Sequence, residues 1–138
     1  CYPMMTVDTY NNLIESFNKG NHESVVACHS VKHHMWINSE HGYEPLNYEP
    51  GSQPNSQELP EVVSVCWGGI VTKTDIMKTG ELIGRKPCFY EVSEYEAVDI
   101  DTELDFKVSE TIYKSVNGLV GGECTCKRKG GCCKARKQ

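Results

Sequence analysis

Residues 99–106 of the chain are "DIDTELDF". Asp99, Asp101, Glu103 and Asp105 fall at every second position, with Ile100, Leu104 and Phe106 between them. A period of two is that of a β-strand with one wet face and one dry face. The alternation therefore predicts a strand, and it extends a β pattern through the second half of the chain. The acids do not make an EF-hand calcium loop, because the turn glycine and the closing glutamate are missing. Lys127, Arg128 and Lys129 are the expected partners of the acidic face.

The neighbouring segments continue this pattern. "VVSVCWGGI" (62–70) reads as a buried strand, with Gly68 and Gly69 marking a bulge or a close approach. "IVTKTDIMKTGELIG" (70–84) predicts a hairpin turning at Lys78-Thr79-Gly80. "PCFYEVSEYEAVDI" (87–100), "ELDFKVS" (103–109) and "TIYKSVN" (111–117) read as further short strands. "GECTCKRKGGCCKA" (122–135) reads as a last hairpin about Gly130-Gly131.

The first half begins with the one clear helix, "TVDTYNNLIESFNKGN" (6–21). Tyr10, Leu13, Ile14 and Phe17 lie at i, i+3, i+4 and i+7, an apolar stripe of the kind that faces a core. Thr6 or Asp8 can cap its start, and Gly20 is placed to stop it. "ESVVACHSV" predicts a strand over 24–31. The next segment, 38–60, holds four prolines and two glycines and reads as a long mobile loop. Tyr43 and Tyr48 on that loop are candidate contact residues. The expected fold is thus α+β but mainly β: an N-terminal helix on an antiparallel sheet or partly closed barrel, stabilised by disulfides. A single domain is expected over 1–138, with the loop at 38–60 and a basic, cysteine-rich hairpin at 124–138.

The 138 residues carry a net charge of −5, which hides an asymmetry. From Cys124 onward there are six cationic residues and no acid, against 8 bases and 19 acids before it. Such a tail either neutralises the body or faces an anionic partner. Its candidate contacts are Lys127, Arg128, Lys129, Lys134 and Arg136. Nucleic acid is not the expected partner, since the chain is acidic and its basic segment lacks aromatics. No run of eighteen apolar residues occurs, so no transmembrane helix is expected.

Eight cysteines point to an oxidising compartment and a disulfide framework. Cys1, Cys28, Cys66 and Cys88 lie in the body; Cys124, Cys126, Cys132 and Cys133 lie in the tail. Structural zinc sites favour two to four residues between paired cysteines, and neither C-x-C nor C-C fits that spacing. Adjacent Cys132 and Cys133 should reach different partners. Bridges from tail to body, or within the tail hairpin, remain the two arrangements, and spacing does not select between them. The start at Cys1 fits a mature end left by signal-peptide cleavage, and the expected location is extracellular.

No nucleophile elbow, P-loop or dinucleotide fingerprint occurs, and no catalytic residue is assigned. "CHSVKHH" (28–34) gathers His29, His33 and His34, with His22 and His41 near in sequence. They read as surface histidines, because a metal site needs further ligands. No metal or cofactor is expected, and a metal-dependent enzyme using these histidines is the third alternative.

"TYNNLIESFNKGN", "SVVACHS", "GGIVTKTDIMKTGELI" and "CFYEVSEYEAVDIDTELDF", followed by "TIYKS" and a cysteine, together resemble the VirK-like family of small secreted or exported proteins. The resemblance implies Cys28 and Cys124 as the framework disulfide pair and implies no established enzyme activity. The leading expectation is a non-enzymatic secreted effector or binding protein of venom, mucus or defence type. Its basic hairpin and tyrosine-bearing loop would contact an extracellular protein or an anionic surface. The alternative is a carrier of a small apolar ligand, a chromophore or lipid, in a β-barrel lined by Trp36, Trp67, Phe89 and Tyr90.

Overall fold

The computed structural model describes residues 1–117. Helix α1 (Val7–Lys19) comes first, then strand β1 (Ser24–Val31) and a hairpin of β2 (Trp36–Ser39) and β3 (Gly42–Pro45). A 3-10 turn at Ser56–Glu58 precedes β4 (Val62–Thr72), and the four-residue helix α2 (Thr74–Met77) follows it. Strand β5 (Pro87–Glu91) and helix α3 (Glu103–Val116) complete the order. The fold is α+β, with helix and strand in rough balance.

Helix α1 forms as its caps and stripe require. The Thr6 side chain accepts from the Thr9 N–H, and the Gly20 N–H donates to the Ser16 carbonyl. The inward edge of the stripe is Leu13, which is fully buried, with Phe17 packed beside it. Tyr10 and Ile14 lie on the half-exposed flank, where the Tyr10 hydroxyl donates to the Gly68 carbonyl at 3.2 Å.

The sheet is mixed and open, in the order β4-β1-β5. Central β1 runs antiparallel to β4 and parallel to β5. Ser24 to Cys28 are all buried, so both faces of the central strand are covered there. Val25 and Ala27 meet Leu13, Cys66 and Val92 in the core, and Met5, Phe17, Cys88 and Tyr90 pack around them. The β4 bulge falls where the glycines predicted it. Val26 pairs with Ile70 while Cys28 pairs with Val65, so Cys66 to Gly69 bow out opposite Ala27. A Cβ on Gly69 would lie 2.8 Å from the Ala27 Cβ, so only glycine lets the two backbones approach this closely.

Several expectations are overturned. The sheet is neither purely antiparallel nor closed, so the described residues enclose no barrel interior. No strand forms over 99–106: Thr102 caps α3, which begins at Glu103, and the two strands expected over 103–117 are this single helix. The Thr102 side chain accepts from the Asp105 N–H, while the Asp105 carboxylate accepts from the Thr102 N–H. This reciprocal capping box sets the helix going. Glu103–Lys107 and Glu110–Lys114 ion pairs at i,i+4 line its outer surface. The hairpin expected at 78–80 is α2 and a turn in which Gly80 takes φ +85°. The loop over 38–60 instead contains most of the β2–β3 hairpin and the 3-10 turn.

No bridge joins Cys1, Cys28, Cys66 and Cys88 to one another. Cys28 and Cys66 are instead packed as small apolar side chains. Cys124, Cys126, Cys132 and Cys133, the Cys28–Cys124 pair and the whole tail hairpin lie outside the described residues. No helix among the described residues is long and apolar enough to cross a membrane.

Candidate functional site

The parallel pairing of β1 and β5 creates the main cleft. Cys28 and Glu91 stand side by side at the end of the register, and the Val92 N–H donates to the Cys28 carbonyl at 2.9 Å. Beyond that bond the two chains part. One continues through Lys32 and His33 to the β2–β3 hairpin, and the other turns at 93–97 towards α1. A cleft of about 960 Å³ opens between them, lined by His29, Ser30, Val31, Lys32 and His33 on one side and Glu91, Val92, Ser93 and Glu94 on the other. The carboxyl ends of neighbouring parallel strands, where the following segments diverge, are where open α/β sheets bind ligands.

The cleft mixes one lysine, two imidazoles, two carboxylates and two serine hydroxyls. Lys32 can pair with an anionic group. Glu91, Glu94 and the serines can bond the hydroxyls of a polar ligand. Buried Glu96 fixes the far wall. Its carboxylate accepts from the Ser93 hydroxyl at 2.6 Å and from the Thr9 hydroxyl. Burial alone would raise the Glu96 pKa, but the bonds from Ser93 and Thr9, with backbone N–H donors of Ser93 and Thr6, hold it below its ordinary value.

A second, aromatic site lies beside the first. The His34 and Tyr48 rings meet edge to face at 5.1 Å, and Trp36 meets Tyr48 at 5.9 Å. The His34 Nε2 lies 3.0 Å from the Pro54 carbonyl oxygen.

The histidines thus divide between sites. His29 and His33 line the large cleft, His34 packs edge-on against Tyr48, and His41 sits in the hairpin turn. Among the described residues, no group of three or more His, Cys, Asp or Glu side chains is placed to hold a metal ion. The four acids of residues 99–106 serve local structure in part: Asp105 caps α3 and Glu103 pairs with Lys107.

The aromatic residues proposed to line a barrel are not brought together. Trp36 is on the hairpin, Trp67 is exposed on β4, Phe89 is half-exposed on β5, and Tyr90 packs on the core. Tyr43 stands out on β3 and is 73% exposed, and Tyr48 is half-buried in the aromatic cluster. Lys127, Arg128, Lys129, Lys134 and Arg136 lie outside the described residues. Sequence reasoning passed over Glu91, Glu94 and Lys32, since nothing local marks them. The signal that could have found them is the end of a buried strand, where ligand-binding side chains collect.

No protein-family model matches the chain. The chain is similar to N-acylneuraminate cytidylyltransferase A of Danio rerio. The two are 27% identical over 101 residues, covering 70% of this chain and 24% of that protein. The chain therefore spans about a quarter of the length of this curated relative.

Proposed function

We propose that the cleft at the ends of β1 and β5 is a ligand site of cytidylyltransferase type, taking an anionic sugar or its nucleotide partner. The observation that carries the reading is the convergence of Lys32, His29, His33, Glu91 and Glu94 at the carboxyl ends of two parallel strands. The similarity to a protein named for N-acylneuraminate and a cytidylyl group supports it. An N-acylneuraminate carries a carboxylate and several hydroxyls. Lys32 matches the former, and the carboxylates and serines of the cleft match the latter. A cytidine triphosphate carries phosphates that the same lysine can meet.

Titrating the isotope-labelled chain with N-acetylneuraminate and, separately, with CTP tests the reading. Resonances of residues 29–33 and 91–94 should shift saturably, and Lys32→Glu should abolish the shifts. Saturable shifts elsewhere, or none with either compound, would remove the proposal.

The second reading is the secreted binding protein, of the kind the VirK-like resemblance suggests. It is favoured by one observation: the hairpin leaves Trp36 and Tyr43 exposed on one face and Ile37 exposed on the other. In this reading the hairpin and the basic tail contact an extracellular partner. Charge reversal at Lys127, Arg128 and Lys129, combined with Tyr43→Ala, should remove binding to the target cell surface. Undiminished binding would count against it.

A further inference from the structure

We propose that Asn47 is a positioning residue that ties the β2–β3 hairpin to the large cleft and sets where Lys32 and His33 stand. Residues 32–35, which link β1 to β2, have no strand pairing of their own. Their main chain is instead held by one side chain from beyond β3. The Asn47 Oδ1 accepts from the Met35 N–H at 2.9 Å, and the Asn47 Nδ2 donates to the His33 carbonyl at 2.9 Å. The Leu46 N–H adds a backbone bond to the Met35 carbonyl at 2.8 Å. Asn47 itself is only 6% exposed, so its carboxamide meets these partners in place of water.

Asparagine alone fits both partners at this length. Aspartate keeps the acceptor for Met35 but puts a second acceptor against the His33 carbonyl. Alanine takes away the partner of the part-buried Met35 N–H and of the His33 carbonyl, and with it the link between the two segments. The position matters because the segment it clamps carries side chains into two sites. Lys32 and His33 face the 960 Å³ cleft, while His34 packs on Tyr48 and Pro54. A change of hairpin angle would therefore reach the cleft through the main chain at His33, and a ligand held by Lys32 would be felt at the hairpin.

The functional part of this inference rests on the ligand reading above; the clamp does not. Amide hydrogen exchange and histidine ring resonances of the 138-residue chain read the clamp directly. In the wild type the Met35 amide should be protected. In Asn47→Ala its exchange should rise about tenfold, with the His33 ring signals displaced and those of His22 unchanged. In Asn47→Asp the Met35 amide should stay protected while the His33 signals move. Where N-acetylneuraminate or CTP binds the wild type, Asn47→Ala should weaken it by about fivefold or more. Free exchange of Met35 in the wild type would overturn the proposal, as would unmoved His33 signals in Asn47→Asp. If the wild type binds neither compound, the ligand reading fails while the exchange and ring signals still decide the role of Asn47.

Discussion

The Thr9 hydroxyl donates to the Glu96 carboxylate, joining the first turn of α1 to the turn after β5. Ser93 donates to the other oxygen of the same carboxylate, at 2.6 Å. One buried acid thus ties the helix, the turn and the cleft wall together.

Glu96→Ala should therefore destabilise the fold by about 1–3 kcal/mol, because the two hydroxyls lose a charged acceptor. The pH dependence has a definite sign. Glu96 is held below its ordinary value of 4.5, so its contribution is complete above that value. The contribution is lost as the pH falls through the lower folded-state value. Thermal melts of the wild type should show a drop below about pH 4.5 that Glu96→Gln flattens. Parallel curves for the two proteins would show that Glu96 contributes nothing to the acid limb.

Helix α3 depends on its capping box. Thr102→Ala should cost about 0.5–2 kcal/mol, read as lower helicity and faster amide exchange over residues 103–106. Thr102→Ser keeps the hydroxyl oxygen and should restore most of the loss. Equal loss in both variants would mean that the threonine methyl, and not the cap, matters.

Thr102 and Asp105, the capping pair of α3, show where the sequence was legible and where it was not. The helix at 7–19 and the strand at 24–31 stand out because each has one period, clear stops and a buried face. "DIDTELDF" satisfies two periods at once. Its acids alternate as in a strand, yet Ile100 and Leu104 are also one helical turn apart. Thr102-x-x-Asp105 separates the two, because a capping hydroxyl with an acid three residues on marks a helix start. The parallel β1–β5 pair was hidden for a different reason. Pairing of strands far apart along the chain depends on the path of everything between them, which no local pattern encodes. The cleft inherits that difficulty, for His29 and His33 drew notice as a cluster while Glu91 and Glu94 reach it only through the sheet.

The bulge in β4 makes a graded test of close packing. At Gly69 an added Cβ meets the Met5 Cε at 2.7 Å and the Ala27 Cβ at 2.8 Å. Ala27 is locked in the central strand and cannot give way. At Gly68 the contact is the Tyr2 ring, at 2.8 Å for its nearest atom, and that ring belongs to the N-terminal segment, outside the sheet. Gly69→Ala should thus cost about 1–3 kcal/mol in urea unfolding, and Gly68→Ala distinctly less. The reverse order would show that the strand yields more readily than the N-terminal segment.

The cysteines allow the compartment and the fold to be tested on one sample. Burial, reinforced by the charges of Cys66, Glu91, Glu61 and Cys88, pushes the Cys28 thiol up to about 11. Burial and the Asp99 charge also raise Cys66. At pH 8 a thiol at that value is about one part in a thousand thiolate, while an ordinary cysteine is roughly a quarter ionised. After mild reduction that leaves the chain folded, iodoacetamide should modify exposed Cys1 at least about a hundredfold faster than Cys28. Unfolding in urea should erase the difference. The same reaction without prior reduction asks a separate question. If the secreted reading holds, Cys28 stays unmodified even in urea, because a bridge to the tail occupies it, and mass spectrometry finds a peptide cross-linked to Cys124. If Cys28 instead reacts fully in urea without reductant, that pairing is gone, and with it the resemblance-based case for a secreted framework.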